Sequence, residues 1–337
     1  MEGSLRISIL GDGGWGTALA ILLSRKGYEV RLWGAFPDYI AFLKERRENV
    51  KFLPEVLIPE EILISSDLAG VINDTALVVL AIPSHVMRQV VRRLKEFDLS
   101  GSIVLSVTKG IENETLMRMS EVIIEEIDPA KLAVLSGPSH AEEVARGVPT
   151  TVVTSSNDDS IAKEIQKIFM TERFRVYTSQ DMIGVELGGS LKNIIAIAAG
   201  MSDGLGFGSN TKAALLTRGM VEITRLGVKM GADTTTFKGL SGIGDLITTC
   251  ISPYGRNRRV GELIAKGRKL DEVLEEMEMV AEGIRTTKSA RDLSQKYQVE
   301  MPITQEIYSV LYEGKDPRSA VSDLMMREPK PELVEEL

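Results

Sequence analysis

The segment that most constrains this chain is its start. Leu5 to Leu10 (LRISIL) is a short apolar run that leads without a break into Gly11-Asp12-Gly13-Gly14-Trp15-Gly16, then TALAILLSRKG and EVRLW. A run of this kind predicts a strand buried on both faces. Ala18, Leu19, Leu22 and Leu23 have helical spacing, Gly27 is placed to end the helix, and Glu29 to Trp33 reads as a second strand. Strand, G-x-G-x-x-G, helix and strand within about 30 residues is the dinucleotide-binding arrangement. Gly11 allows the tight turn, Gly13 lets a pyrophosphate approach the backbone, and Gly16 lets the helix pack on the strand. The helix N-terminus offers amide donors and a partial positive charge. At the end of the second strand, where an acid would read the ribose of NAD, stands Trp33-Gly34-Ala35-Phe36. Arg31 precedes the strand end. NAD and NADP both remain open at this point.

Further buried strands are expected at Thr75–Ile82, Ser102–Val107, Leu132–Ser136, Thr150–Thr154 and Phe174–Tyr177, with a helix over Asp38–Glu48 and a polar connection containing Pro54 and Pro59. After Ser179 the β-branched runs stop and only helical patterns follow. The expected fold is α/β: an N-terminal Rossmann-type doubly wound sheet (1–178), followed by an all-α C-terminal domain (179–337) that carries the substrate and catalytic groups.

The second domain opens on Gly184–Met201 (GVELGGSLKNIIAIAAGM), apolar on every side yet carrying Glu186, Lys192 and Asn193. A buried ammonium must be paired or used. Lys192 could snorkel or meet a structural carboxylate. Its place at the domain junction and the absence of any histidine from the helical half favour a chemical role. Gly188 and Gly189, at roughly 1 kcal/mol each inside a helix, predict close approach by a nicotinamide or by facing loops.

Ligands of open α/β sheets bind at the carboxyl ends of the strands. The turn at Pro83 should therefore border the cofactor, and Lys109, between a strand and Gly110, aims at the cleft. Ser202–Asn210 reads as a mobile glycine loop. Gly239–Cys250 reads as a second loop. Arg256 and Asn257 after Gly255 sit at a helix start suited to an anion.

Composition narrows the class. The 337 residues are 43% apolar and 26% charged, with net charge −8, so no basic surplus exists for nucleic acid. Cys250 is the single cysteine, and the only histidines are His85 and His140, which leaves no disulfide and no Cys/His metal site. No signal peptide and no membrane span are expected, and a cytoplasmic protein is.

These motifs together resemble the NAD(P)-dependent glycerol-3-phosphate dehydrogenases, the bacterial branch in particular. The resemblance is carried by GDGGWGTALA (11–20), IPSH (82–85), TKG (108–110), SGPSHA (136–141), GVELGGSLKNIIAIAAGMSDG (184–204), GIGDLITTC (242–250) and GRNRRVG (255–261). It implies reversible reduction of dihydroxyacetone phosphate to sn-glycerol 3-phosphate with NAD or NADP, in support of phospholipid synthesis, and Lys192 as the proton donor and acceptor. It implies a substrate set of Lys109, Gly137, Ser139, Lys192, Asn193, Asp245, Thr249, Gly255, Arg256 and Asn257. The implied cofactor set is Gly11, Gly13, Gly14, Trp15, Gly16, Ala35, Pro83, Lys109, Ala141, Arg256, Val280 and Glu282. The implied partner is a phosphorylated small molecule, and a homodimer is the assembly considered. The chain departs from the family's usual pattern at Asp12, where a small residue is commoner, at Ala35 and at His140.

Overall fold

The computed structural model describes residues 5–277 and 281–332. The chain forms two compact units, one of residues 1–109 with 117–186, the other of residues 110–116 with 187–337.

The first unit is built on ten strands: β1 (Arg6–Leu10), β2 (Glu29–Trp33), β3 (Glu48–Asn49), β4 (Leu53–Leu57), β5 (Leu63–Ser65), β6 (Leu77–Leu80), β7 (Ile103–Ser106), β8 (Leu132–Ser136), β9 (Thr150–Ser155) and β10 (Phe174–Ser179). Eight of them make one sheet in the order β10-β9-β8-β7-β6-β1-β2-β5. Every pairing is parallel except β8 with β9. β6 and β7 are buried along their whole length, as strands covered on both faces must be. β1 lies between β2 and β6, so the chain reverses its direction of travel across the sheet there. A ligand crevice forms at such a switch, at the strands' carboxyl ends. Separate cores cover the sheet. One holds Ile9, Ala18, Leu32 and Ile40, the other Trp33, Val78, Val90 and Val91.

Residues 47–66 differ from the polar connection expected. They form the β3–β4 hairpin and the edge strand β5. Pro54 lies inside β4 and β5 is three residues long, so neither shows the uninterrupted alternation by which a strand is read.

The second unit is helical among the described residues. The long helix Met182–Gly204 begins in the first unit and continues into the second. By length and a mean hydropathy of 1.3 it could cross a membrane, a property that counting consecutive apolar residues passed over. It is a core helix: 94% of that window is buried within the protein. Of its charged residues, Glu186 accepts hydrogen bonds from Ser120 N (2.8 Å), Ser120 Oγ (2.6 Å) and the Arg118 guanidinium Nη1 (2.5 Å). Burial pushes the Glu186 carboxyl up in spite of Arg118.

Two expected loops are mostly helix. The long helix runs on to Gly204 and the next starts at Ser209, leaving Leu205–Gly208 as the connection. Gly239–Cys250 holds a π-turn, Leu240–Gly244, followed by the helix Asp245–Ile251. Gly239, Gly242 and Gly244 make this segment read as a loop. Gly242 in fact fits a tight place, because a Cβ there would lie 2.1 Å from Phe237 O.

Candidate active site

Within the sheet unit, the glycine turn is fixed by its own backbone. Gly11 N donates to Trp33 O (2.9 Å). Its φ of +123° suits glycine alone, and a Cβ there would fall 2.3 Å from Ala81 O. A Cβ at Gly16 would lie 1.9 Å from Gly11 O. Around Gly13, by contrast, nothing lies within 4 Å of where a Cβ would be. Gly13 caps the helix Gly14–Arg25 with extended backbone and no side chain, leaving that helix's first-turn amides to a ligand. The two crowded glycines hold the turn and the open one admits a diphosphate, so these residues fit a dinucleotide. A Cβ at Gly14 would lie 2.5 Å from Phe52 O and 3.6 Å from Ala141 Cβ, and Trp15 is half-buried against the core. Ala35, just past β2, is exposed, and Pro83 is half-buried before the turn Ser84–Val86.

Lys109 follows β7. Its Nζ donates to Gly137 O (2.9 Å) and Ser139 Oγ (3.5 Å), and Ser139 Oγ donates to the same Gly137 O (2.9 Å). Gly137 turns the chain at φ +125° after β8. The ammonium is thereby pinned at the carboxyl ends of the strands.

Within the helical unit, Lys192 Nζ lies 2.8 Å from Asp245 Oδ1 and donates to Thr249 Oγ1, which donates in turn to Asp245 Oδ1 (3.2 Å). All three are buried: Lys192 is 5% exposed, Asp245 2% and Thr249 6%. Asp245 and Thr249 are one turn apart in their helix and so present both oxygens to one ammonium. The structural-carboxylate reading of Lys192 and the chemical one therefore meet in a single arrangement.

A second set lies one residue along. Asn257 Nδ2 donates to Asn193 Oδ1 (3.0 Å), and Asn257 Oδ1 accepts from Gly283 N (2.9 Å). Both ends of the Asn257 amide are thus held. Arg256 is exposed at the first turn of the helix Arg256–Ala265, whose cap is Gly255. That helix packs backbone to backbone on the long helix: a Cβ at Gly200 would fall 1.8 Å from Arg258 O, and one at Gly261 1.9 Å from Ile197 O. Glu282 opens the helix Glu282–Tyr297. Val280 lies outside the described residues.

Reading the sequence did not find the contacts that align Lys192 with Asp245. A Cβ at Gly188 would lie 2.5 Å from Ser241 O and 3.4 Å from Gly242 Cα. At Gly188 the close approach is thus made by the π-turn of the same unit. Two glycine signals, Gly188 in a helix and Gly239-x-x-Gly242 three residues before an acid, were present in the chain but unconnected.

Residues 6–162 match the family model described as NAD-dependent glycerol-3-phosphate dehydrogenase N-terminus, and residues 181–322 the corresponding C-terminus. A glycerol-3-phosphate dehydrogenase (NAD(P)+) of Moorella thermoacetica is 53% identical over 322 residues, 95% of this chain and 96% of the relative. One from a Thermoanaerobacter species is 54% identical over 329 residues, 98% of this chain and 99% of the relative. The crystal structure of glycerol-3-phosphate dehydrogenase from Coxiella burnetii superposes with a TM-score of 0.93 at 39% identity, covering 96% of this chain and 99% of that one. The chain belongs to the NAD(P)-dependent glycerol-3-phosphate dehydrogenase family, an oxidoreductase family whose cofactor is NAD or NADP.

Proposed function

We propose that the chain interconverts dihydroxyacetone phosphate and sn-glycerol 3-phosphate, with residues 1–178 holding the dinucleotide and residues 179–337 the substrate. The observation that carries this reading is the buried Lys192 ammonium, paired at 2.8 Å with Asp245 and bonded to Thr249. The bound nicotinamide supplies or takes up the hydride. Lys192 donates a proton to the ketone oxygen as it becomes an alkoxide and takes it back in reverse. Asp245 holds the lysine in place, at the distance of a charge-assisted hydrogen bond.

Arg256 and the amides of its helix N-terminus anchor the substrate phosphate, and this binding energy orients the reacting carbon. Asn193 and Asn257, joined by a hydrogen bond of 3.0 Å, form the floor beside it. The family relationship supports the substrate, and the single buried cysteine supports action in a reducing, cytoplasmic setting. The product serves phospholipid synthesis.

The test is oxidation of NADH and NADPH with dihydroxyacetone phosphate against unphosphorylated dihydroxyacetone. The reading expects kcat/KM at least about 10³-fold higher for the phosphate ester, since that ester supplies the anchoring energy. Equal rates with the two ketones would overturn it.

A further inference from the structure

Asp12 stands between the first two glycines of the cofactor turn, and among the described residues no other side chain pairs with its carboxyl Oδ2. Its Oδ2 is buried without a hydrogen-bond partner. Burial raises the carboxyl's pKa, against the opposing effect of its own backbone amide. A buried carboxyl in that condition is costly to the fold.

Its position gives the reason. A Cβ built at Gly34 would fall 2.6 Å from Asp12 Cγ and 2.6 Å from Asp12 Oδ2. Gly34 directly follows β2, the strand end from which an acid reads the adenosine ribose in dinucleotide-binding folds. Gly34, Ala35 and Phe36 provide no acid. The carboxyl absent from the strand is brought to the same place by the loop, and glycine at position 34 leaves room for it.

Two arginines associated with β2, one in the strand and one on its Trp33, are engaged elsewhere. Arg31 donates to Gly70 O (2.8 Å), Asn73 O (3.1 Å) and Glu29 (2.9 Å). Arg93 stacks on the Trp33 ring at 5.3 Å, in the core that also holds Val90 and Val91. Asp12 borders Ile40, which belongs to the other core.

We propose that Asp12 sets the cofactor preference: its carboxylate accepts from the adenosine ribose hydroxyls and repels a 2′-phosphate, so the chain selects the dinucleotide with a free 2′-hydroxyl. The half-buried Asp12 side chain turns its carboxylate to the hydroxyls, which supply the donor that Oδ2 lacks, and a phosphate there meets a like charge. The inference rests on the family's cofactor and is independent of the proposed substrate.

The experiment is calorimetric titration of the full chain with NADH and NADPH alone, for wild type, Asp12→Ala, Asp12→Asn and Arg93→Ala. Wild type should bind NADH at least about tenfold more tightly than NADPH. Both Asp12 variants should narrow that ratio at least about fivefold, mainly by weakening NADH, and should melt no lower than wild type, since an unpartnered acceptor is removed. Arg93→Ala should keep the ratio. Tighter NADPH binding by wild type, an unchanged ratio in both Asp12 variants, or an equal shift in Arg93→Ala would each overturn the proposal.

Discussion

Gly188 and Ser241 touch through backbone alone: a Cβ at Gly188 would stand 2.5 Å from Ser241 O. Four residues beyond each lie Lys192 and Asp245, paired at 2.8 Å. The glycine contact sets the distance between the long helix and the π-turn, and the ion pair lies one turn further along.

Gly188→Ala tests that relationship. A methyl group there must push the Ser241 backbone away, at a typical overpacking cost of about 1–3 kcal/mol. It should also displace Asp245 from Lys192. The expected result is a lower melting temperature together with a kcat reduced about tenfold or more. Wild-type kcat in a folded variant would show that the spacing is not what aligns the pair.

Arg256→Ala tests the phosphate anchor. Loss of a hydrogen bond to a charged group costs about 1.5–3 kcal/mol. KM for dihydroxyacetone phosphate should therefore rise about 10- to 100-fold in steady-state assays, with kcat much less affected. An unchanged KM would remove Arg256 from the anchor.

Glu222 gives the fold a pH dependence. Its carboxylate accepts from Ile303 N (2.6 Å) and Thr304 N (3.1 Å) at the start of the helix Pro302–Tyr312, yet burial pushes it from the ordinary 4.5 to about 7. The folded state thus holds the proton more tightly than the unfolded chain. This contribution is fully present below pH about 4.5 and is lost as pH rises through about 7, a change of about 3 kcal/mol. Glu222→Gln should flatten the fall in thermal stability between pH 5 and pH 8. An equally steep fall in the variant would assign it to other groups.

Much of the sheet was legible because strands such as β6 and β7 are β-branched, apolar and uninterrupted. β4 and β5 were not, because Pro54 and a three-residue length remove the periodic signal. The helix Asp245–Ile251 was hidden behind glycines that serve packing as well as turning. For the site, the sequence marked Lys192 as a cation in an apolar helix. Its pairing with Asp245 is tertiary and has no local trace, and the resemblance alone brought Asp245 and Thr249 into view. Asp12 was visible as a departure from pattern, but its nearness to Gly34 depends on β1 and β2 lying side by side.

Proton transfer by Lys192 is the centre of the account, and Lys192→Ala tests it most directly, through pre-steady-state turnover alongside the dissociation constant for NADH. A positioned general acid contributes about 10²–10⁴-fold. The account predicts a kcat lower by about 10³-fold with NADH binding intact. Turnover near the wild-type rate in the folded variant would contradict it.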